Sequence, residues 1–158
     1  MEKTLGIRFL KASLIYFIIG VTMGTIITIE PIYDFVVLSK LFERAHAHIN
    51  LIGWVSLSII GFIYYIILAN FGKPLYSERL GNMGFWLLNI GISAEFIALL
   101  VGGYAQASAF QAGNFEIAHE SVVPYMMLII IFAFVMMIGV YCSAYNIYKT
   151  LIADKSIN

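Results

Sequence analysis

The feature that most constrains the fold of this chain is a set of four apolar runs of about 20 residues each. They cover residues 11–29, 46–68, 83–105 and 122–147. A helix of that length crosses the hydrocarbon core of a bilayer, which is roughly 30 Å thick. Because no water satisfies backbone polar groups there, each run is expected to be helical. The sequence therefore predicts an all-α integral membrane protein, a four-helix bundle in a single domain covering residues 1–158.

The composition narrows the classes of function. The 158-residue chain is 61% hydrophobic and only 11% charged, which places it in the membrane and outside the range of soluble domains. The hydrophobic composition predicts membrane lipid as surroundings, and the balance of nine basic and nine acidic residues suggests neither a nucleic-acid nor an acidic partner. The single cysteine, Cys142, excludes an internal disulfide and a cysteine-based metal site within one chain. Redox chemistry would need a cofactor.

The distribution of lysine and arginine predicts the orientation of the chain. If the N-terminus is cytoplasmic, only Lys40 and Arg44 lie in outer connectors, and the other basic residues lie on the inner side. The inner residues are Lys3, Arg8, Lys11, Lys73, Arg79, Lys149 and Lys155. Both termini are then cytoplasmic, and the three histidines, His46, His48 and His119, form one layer near the outer face of a multi-pass cell-membrane protein.

The pair His46 and His48, at the start of the second run, is the strongest functional signal. A lone histidine at the end of a span is usually satisfied by backbone or water, but polar groups in a bilayer are costly and two of them favour a ligand role. Side chains two residues apart on a helix point to nearly opposite faces. One metal ion would be hard for both rings to reach, whereas flat cofactors such as haems on opposite sides fit this geometry.

Two further residues are candidates for the site. Glu95 lies in the third run within a stripe of small residues, and it is either a protonated carboxyl bonded between helices or a proton-handling or cofactor-tuning group. The stripe consists of Gly84, Gly91, Glu95, Ala98 and Gly102. His119 shares a helix face with Glu116, whose carboxylate could orient the imidazole, and the alternative is a solvated loop histidine.

Small and polar residues on two helix faces predict close packing between helices. The first run places Ser13, Gly20, Gly24 and Thr28 on one side, and the third places Asn82, Trp86, Asn89 and Ser93 on one side. The polar stripe predicts hydrogen bonds between helices. The glycines suit either the interior of one bundle or the interface of a homodimer, which we favour.

The order of the motifs resembles that in a known family. Residues 46–48 (His-Ala-His), 51–54 (Leu-Ile-Gly-Trp), 61–65 and 72–80 resemble the tenth helix and following loop of the haem-copper oxidase catalytic subunit. The C-family oxidases and the nitric oxide reductases are the most similar branch. Residues 85–91 and 103–107 resemble the eleventh helix, residues 144–150 the end of the twelfth, and residues 29–31 the turn that closes the ninth.

The resemblance implies haem ligands. In that family the two histidines of the motif bind different haems, so His46 matches the ligand of the high-spin haem and His48 that of the low-spin haem. The other eight helices of the family, with the copper ligands and the second low-spin ligand, have no counterpart in this sequence. Glu30 matches a functional glutamate but lacks the glycine that follows it, and His119 lies where the family places no ligand. A second axial ligand would be His119 or come from a neighbouring chain.

These observations favour a small membrane b-type cytochrome. It would bind haem b, one or two per chain or shared between chains, through His46, His48 or both, with His119 and Glu95 as further site residues. It would transfer electrons to a redox partner or bind oxygen or nitric oxide. One alternative is a subunit of a split oxidase or nitric oxide reductase, since this sequence predicts no copper and no complete haem-copper active site. Another is a zinc or copper site on His46, His48 and His119, or a haem-handling protein.

Overall fold

The computed structural model describes residues 3–70 and 74–153, and no strand occurs in those two ranges. Four helical stretches are long and apolar enough to cross a membrane: Leu5–Ile27, Lys40–Ile67, Glu78–Gln111 and Phe115–Ile152. The predicted all-α fold with four spans is confirmed, while the cytoplasmic side of the termini stays a prediction. Gly72 of the family-like segment 72–80, and Lys73 and Lys155 of the predicted inner side, lie outside the described residues.

The elements follow one another with short connections. In chain order they are α1 (Lys3–Ile27), α2 (Glu30–Val36), α3 (Lys40–His48), a π-helical segment (Ile49–Ser56), α4 (Leu57–Asn70), α5 (Glu78–Gln111), α6 (Phe115–Glu120) and α7 (Val123–Ile152). The second span consists of α3, the π segment and α4. The connector expected before this span contains α2 and most of α3.

The second and third spans begin earlier than the apolar runs because serine side chains cap them. Ser39 Oγ accepts a hydrogen bond from the backbone N–H of Leu41, at 3.3 Å, and α3 begins at Lys40. Ser77 Oγ accepts one from the N–H of Leu80, at 3.2 Å, and α5 begins at Glu78. Such caps satisfy N–H groups of the first turn, so polar residues can extend a membrane helix beyond its apolar part. Both histidines therefore lie within the helical span that begins at Lys40, and not at its first residues.

The π-helical segment starts directly after His48. Ser56 donates its hydroxyl hydrogen to the carbonyl of Leu51, five residues earlier, at 2.8 Å. In the middle of the segment, a Cβ on Gly53 would lie 2.8 Å from Cγ of Tyr16, so α1 packs tightly against it. Short π-helical turns inside membrane or soluble helices are frequent at functional sites. Here the segment joins the histidine-bearing helix to α4.

Glycines allow α5 and α7 to pack with their backbones close together. A Cβ on Gly91 would lie 2.8 Å from the backbone nitrogen of Met136, and one on Gly139 would lie 2.7 Å from that of Leu88. A Cβ on Gly84 would lie 3.2 Å from the carbonyl oxygen of Gly139. All five residues of the small-residue stripe on α5 are buried, so this face packs inside the bundle, the first of the two alternatives that the sequence left open.

Polar side chains tie α1 to α5. The Tyr16 hydroxyl lies 3.0 Å from Oδ1 of Asn89 and 2.9 Å from Oγ of Ser93. Near the other end, Arg8 donates from Nη1 to Oδ1 of Asn82, at 2.5 Å, and its guanidinium lies 4.3 Å from the centre of the Phe85 ring. These contacts confirm the predicted hydrogen bonding between helices for Asn82, Asn89 and Ser93, whereas Trp86 is exposed.

A second buried polar cluster was not foreseen from the sequence. Asn146 of α7 donates from Nδ2 to the hydroxyl oxygen of Tyr64, at 3.2 Å, and accepts at Oδ1 from the N–H of Ser77, at 3.0 Å. Thr150 accepts from the N–H of Tyr76 at 3.0 Å. The end of α7 therefore holds both α4 and the start of α5.

We expect Gly91→Ala to destabilise the bundle, because the added methyl group would overlap the backbone of α7 at Met136. Overpacking of a tight contact costs roughly 1–3 kcal/mol. Ile90→Ala, at a neighbouring position that is exposed on the outside of the bundle, is the matched control. Reversible unfolding in detergent should show a lower stability for Gly91→Ala than for Ile90→Ala, and equal stabilities would contradict the close contact.

Tyr16→Phe should weaken the contact between α1 and α5, since it removes the hydroxyl that meets Asn89 and Ser93. Hydrogen bonds between membrane helices contribute on average about 0.6 kcal/mol, and at most about 1.7. Tyr33→Phe, at an exposed position of α2, provides the control. The same unfolding measurement checks the loss, and a stability unchanged from that of the Tyr33 variant would refute it.

Candidate functional site

His46 and His48 contact different helices. The ring of His46 lies against α1, where a Cβ on Gly24 would come within 2.9 Å of its Cε1 atom. The ring of His48 lies against α5, with Nδ1 at 3.1 Å from Oε1 of Glu95. The two imidazoles therefore point to separate sides of the second span, as the helix geometry of a His-x-His pair predicts.

Glu95 is the buried acidic group of the site. The residue is only 1% exposed, and its Oε1 atom is the one that meets His48. Its second oxygen, Oε2, is buried without a hydrogen-bond partner among the described residues. A buried carboxyl group with an unsatisfied oxygen is costly to folding, so Glu95 stays a candidate site residue.

Asn50 contacts His46, and this contact was not predicted from the sequence. Its Nδ2 atom donates to the backbone carbonyl of His46 at 2.8 Å and lies 3.4 Å from Nδ1 of the same residue's ring. A Cβ on Gly20 would overlap the Asn50 side chain, so α1 leaves room for it. The four-residue spacing of His46 and Asn50 along the helix was the available signal. The two imidazoles thus have different partners, an amide for His46 and a carboxylate for His48.

A groove of about 420 Å³ opens beside His46 between α1, α2 and α3. Its wall includes Gly24 and Phe42, and Lys40 and Glu43 add charged groups to it. A second hollow of about 470 Å³, lined almost entirely by apolar side chains, shares Phe42 with it. The two hollows also have Ile27 and Val36 in common, so they are neighbours. Volumes of this size are typical of ligand pockets.

His119 does not join the other two histidines in a metal cluster. It is exposed on α6, where its ring packs edge-on against Phe110 with 5.8 Å between ring centres. Within residues 3–70 and 74–153 it forms no hydrogen bond or ion pair with Glu116, and no group of three or more histidine, cysteine or acidic residues could hold a metal ion. The histidine with a carboxyl partner is His48, which meets Glu95. Glu30 is exposed at the start of α2.

Comparison with known proteins identifies the family. The family model for cytochrome c and quinol oxidase polypeptide I matches residues 3–151. A cbb3-type cytochrome c oxidase subunit CcoN1 of Stutzerimonas stutzeri is 27% identical over 158 residues, which is 94% of this chain and 33% of the relative. A cytochrome c oxidase subunit 1 homolog of Agrobacterium tumefaciens (strain T37) is 28% identical over 119 residues, 70% of this chain and 22% of the relative.

The relatives are longer proteins. A probable cytochrome c oxidase subunit 1 of Bradyrhizobium diazoefficiens is 34% identical over 91 residues, covering 57% of this chain and 13% of the relative. The chain spans about a third of the Stutzerimonas relative and less of the others. The match to the family nevertheless runs through all four membrane helices, including the segment with both histidines. The chain therefore belongs to the cytochrome c and quinol oxidase polypeptide I family, as a multi-pass membrane protein similar to subunit I of the haem-copper oxidases.

Proposed function

We propose that this chain is a small membrane b-type cytochrome that binds haem b through His48, His46 or both. The observation that carries the proposal is one membrane helix that directs two imidazoles to two different sides, one of them against a buried carboxylate. Imidazoles are common axial ligands of haem iron, and a carboxylate on the far ring nitrogen is a frequent partner of metal-bound histidine. The bound haem would transfer electrons or bind oxygen or nitric oxide.

The residues beside His46 fit a haem group, and the His48 ring is accessible to one. Beside His46, the groove is bounded by Gly24, where a side chain would collide with the imidazole, and by apolar side chains that suit a porphyrin. Lys40 lies in the same wall and offers a cation to the carboxylates that a haem carries at its edge. At His48, the side chain is 38% exposed, so a group at the surface of the bundle could reach the ring.

The protein would control the group through binding, orientation and exclusion of water. Haem supplies a redox-active iron whose potential depends on its axial ligands, its burial and nearby charges. Phe42 lines both hollows and Phe96 lines the apolar one, and their rings would keep water out of the apolar hollow. Asn50 fixes the helix turn that carries His46 by its bond to the backbone carbonyl.

The cellular setting is part of the proposal. We place the protein in the cell membrane, and the distribution of lysine and arginine supports an orientation with the histidines near the outer face. A homodimer would let a neighbouring chain supply a second axial ligand, and His119 is the candidate within the chain. Gly20 and Gly24 contact Asn50 and His46 within the chain, so a dimer would use other surfaces.

A second candidate is a subunit of a split oxidase or nitric oxide reductase. It is favoured by the family match together with the chain's coverage of about a third of the cbb3-type relative. Oxygen or nitric oxide turnover by a native complex, and none by the chain alone, would support this candidate. In the b-type cytochrome, carbon monoxide added to the reduced protein distinguishes a closed iron, whose spectrum stays unchanged, from an open one, whose band shifts.

We expect the detergent-purified chain, expressed with ample haem supply, to show a haem b band in its reduced-minus-oxidised spectrum. The double variant His46→Ala, His48→Ala should lose that band, because both candidate axial ligands are gone. Ile59→Ala, Phe62→Ala is the matched control, since it removes two exposed side chains from α4 in the same span. A chain without haem, or a double variant with unchanged haem content, would defeat the proposal.

A further inference from the structure

His48 and His46 differ in the charge of the group that meets the imidazole. Glu95 meets Nδ1 of His48 at 3.1 Å, whereas His46 has an amide nitrogen at 3.4 Å from its Nδ1 atom. When Nδ1 of His48 carries the ring hydrogen, it donates that hydrogen to Oε1 of Glu95. This bond leaves Nε2 of His48 as the ring nitrogen with the free lone pair, which is the form that binds a metal.

Glu95 lies in the packed interior of the bundle. Glu95 lies on the face of α5 whose neighbouring glycine, Gly91, packs against the backbone of Met136, and the residue itself is 1% exposed. Its second oxygen, Oε2, has no hydrogen-bond partner in the described part of the chain. A positive centre bound on the far side of the His48 ring would stabilise a negative charge on Glu95, because opposite charges attract strongly in a medium of low dielectric constant.

We infer that Glu95 is a positioning residue, which fixes the orientation and tautomer of His48 as an axial ligand and lowers the reduction potential of the haem on that ligand. The inference rests on the proposed function and adds which histidine is tuned and by which group. A carboxylate hydrogen-bonded to an axial imidazole makes it a stronger donor and favours the ferric over the ferrous state, since ferric haem carries one more positive charge.

The test compares three Glu95 variants in the wild-type chain and in a His46→Ala background, where only His48 of the pair can bind the iron. Glu95→Gln keeps the size and one acceptor but removes the charge, so haem should bind and its midpoint potential should rise. Glu95→Asp keeps the charge and should give a potential closer to the wild type than Glu95→Gln does. Glu95→Leu removes the acceptor, and haem affinity should fall by about 10–100-fold, the usual effect of losing such a partner.

The controls separate this role from a purely structural one. Glu116→Gln removes an exposed carboxylate that does not meet His48, and its haem content and potential should match the wild type. Far-UV circular dichroism should show equal helix content in all variants, and a folded Glu95→Gln protein suffices for the potential measurement.

Each outcome decides between the two proposals. An unchanged midpoint potential in haem-loaded Glu95→Gln, or a His46→Ala chain that holds no haem while the wild type does, would overturn this inference and leave the proposed function standing. A wild-type chain without haem would overturn both. A raised potential in Glu95→Gln, with the Glu116→Gln chain unaffected, would support the positioning role.

Discussion

How closely the helix backbones can approach one another is the constraint on which this bundle depends. Lipid is as apolar as the side chains, so no hydrophobic effect draws helices together inside a membrane, and packing has to do so. Gly91 and Gly139 let α5 and α7 meet at backbone distance. This contact fixes the rotation of α5, and Glu95, one helical turn beyond Gly91, is thereby held inside the bundle. The geometry of the site thus follows from a glycine contact that includes no site residue.

The four spans could be predicted from sequence because their apolar runs are long and backbone bonding leaves only helices in lipid. The glycine stripe around Gly91 and the polar stripe around Asn89 were also evident, since their spacing follows the helical repeat. The starts of the second and third spans could not be predicted from hydropathy. Ser39 and Ser77 cap polar helical turns that precede the apolar runs. The π-helical segment could not be predicted either, because its composition is that of an ordinary apolar α-helix.

The site was only half predictable for a different reason. The His46–His48 pair is local in sequence, and helix geometry alone separates the two rings. The contact of His48 with Glu95 joins residues 47 positions apart, and it depends on the register between two spans, which no local pattern encodes. Local spacing instead suggested Glu116 as a partner for His119, and that histidine packs against Phe110 on the surface. Two residues on the same face of a helix do not necessarily contact each other.

The surroundings of Glu95 also bear on why such a group lies inside a membrane bundle. A buried pair of a carboxylate and an imidazole contributes little to stability, because desolvation of the charges offsets their attraction. Here Oε2 of Glu95 has no hydrogen-bond partner within the described chain, and an unsatisfied buried acceptor costs folding free energy. Apolar side chains of similar volume would pack at least as well in that position. A bound positive centre, such as the haem iron proposed on His48, would offset part of that cost.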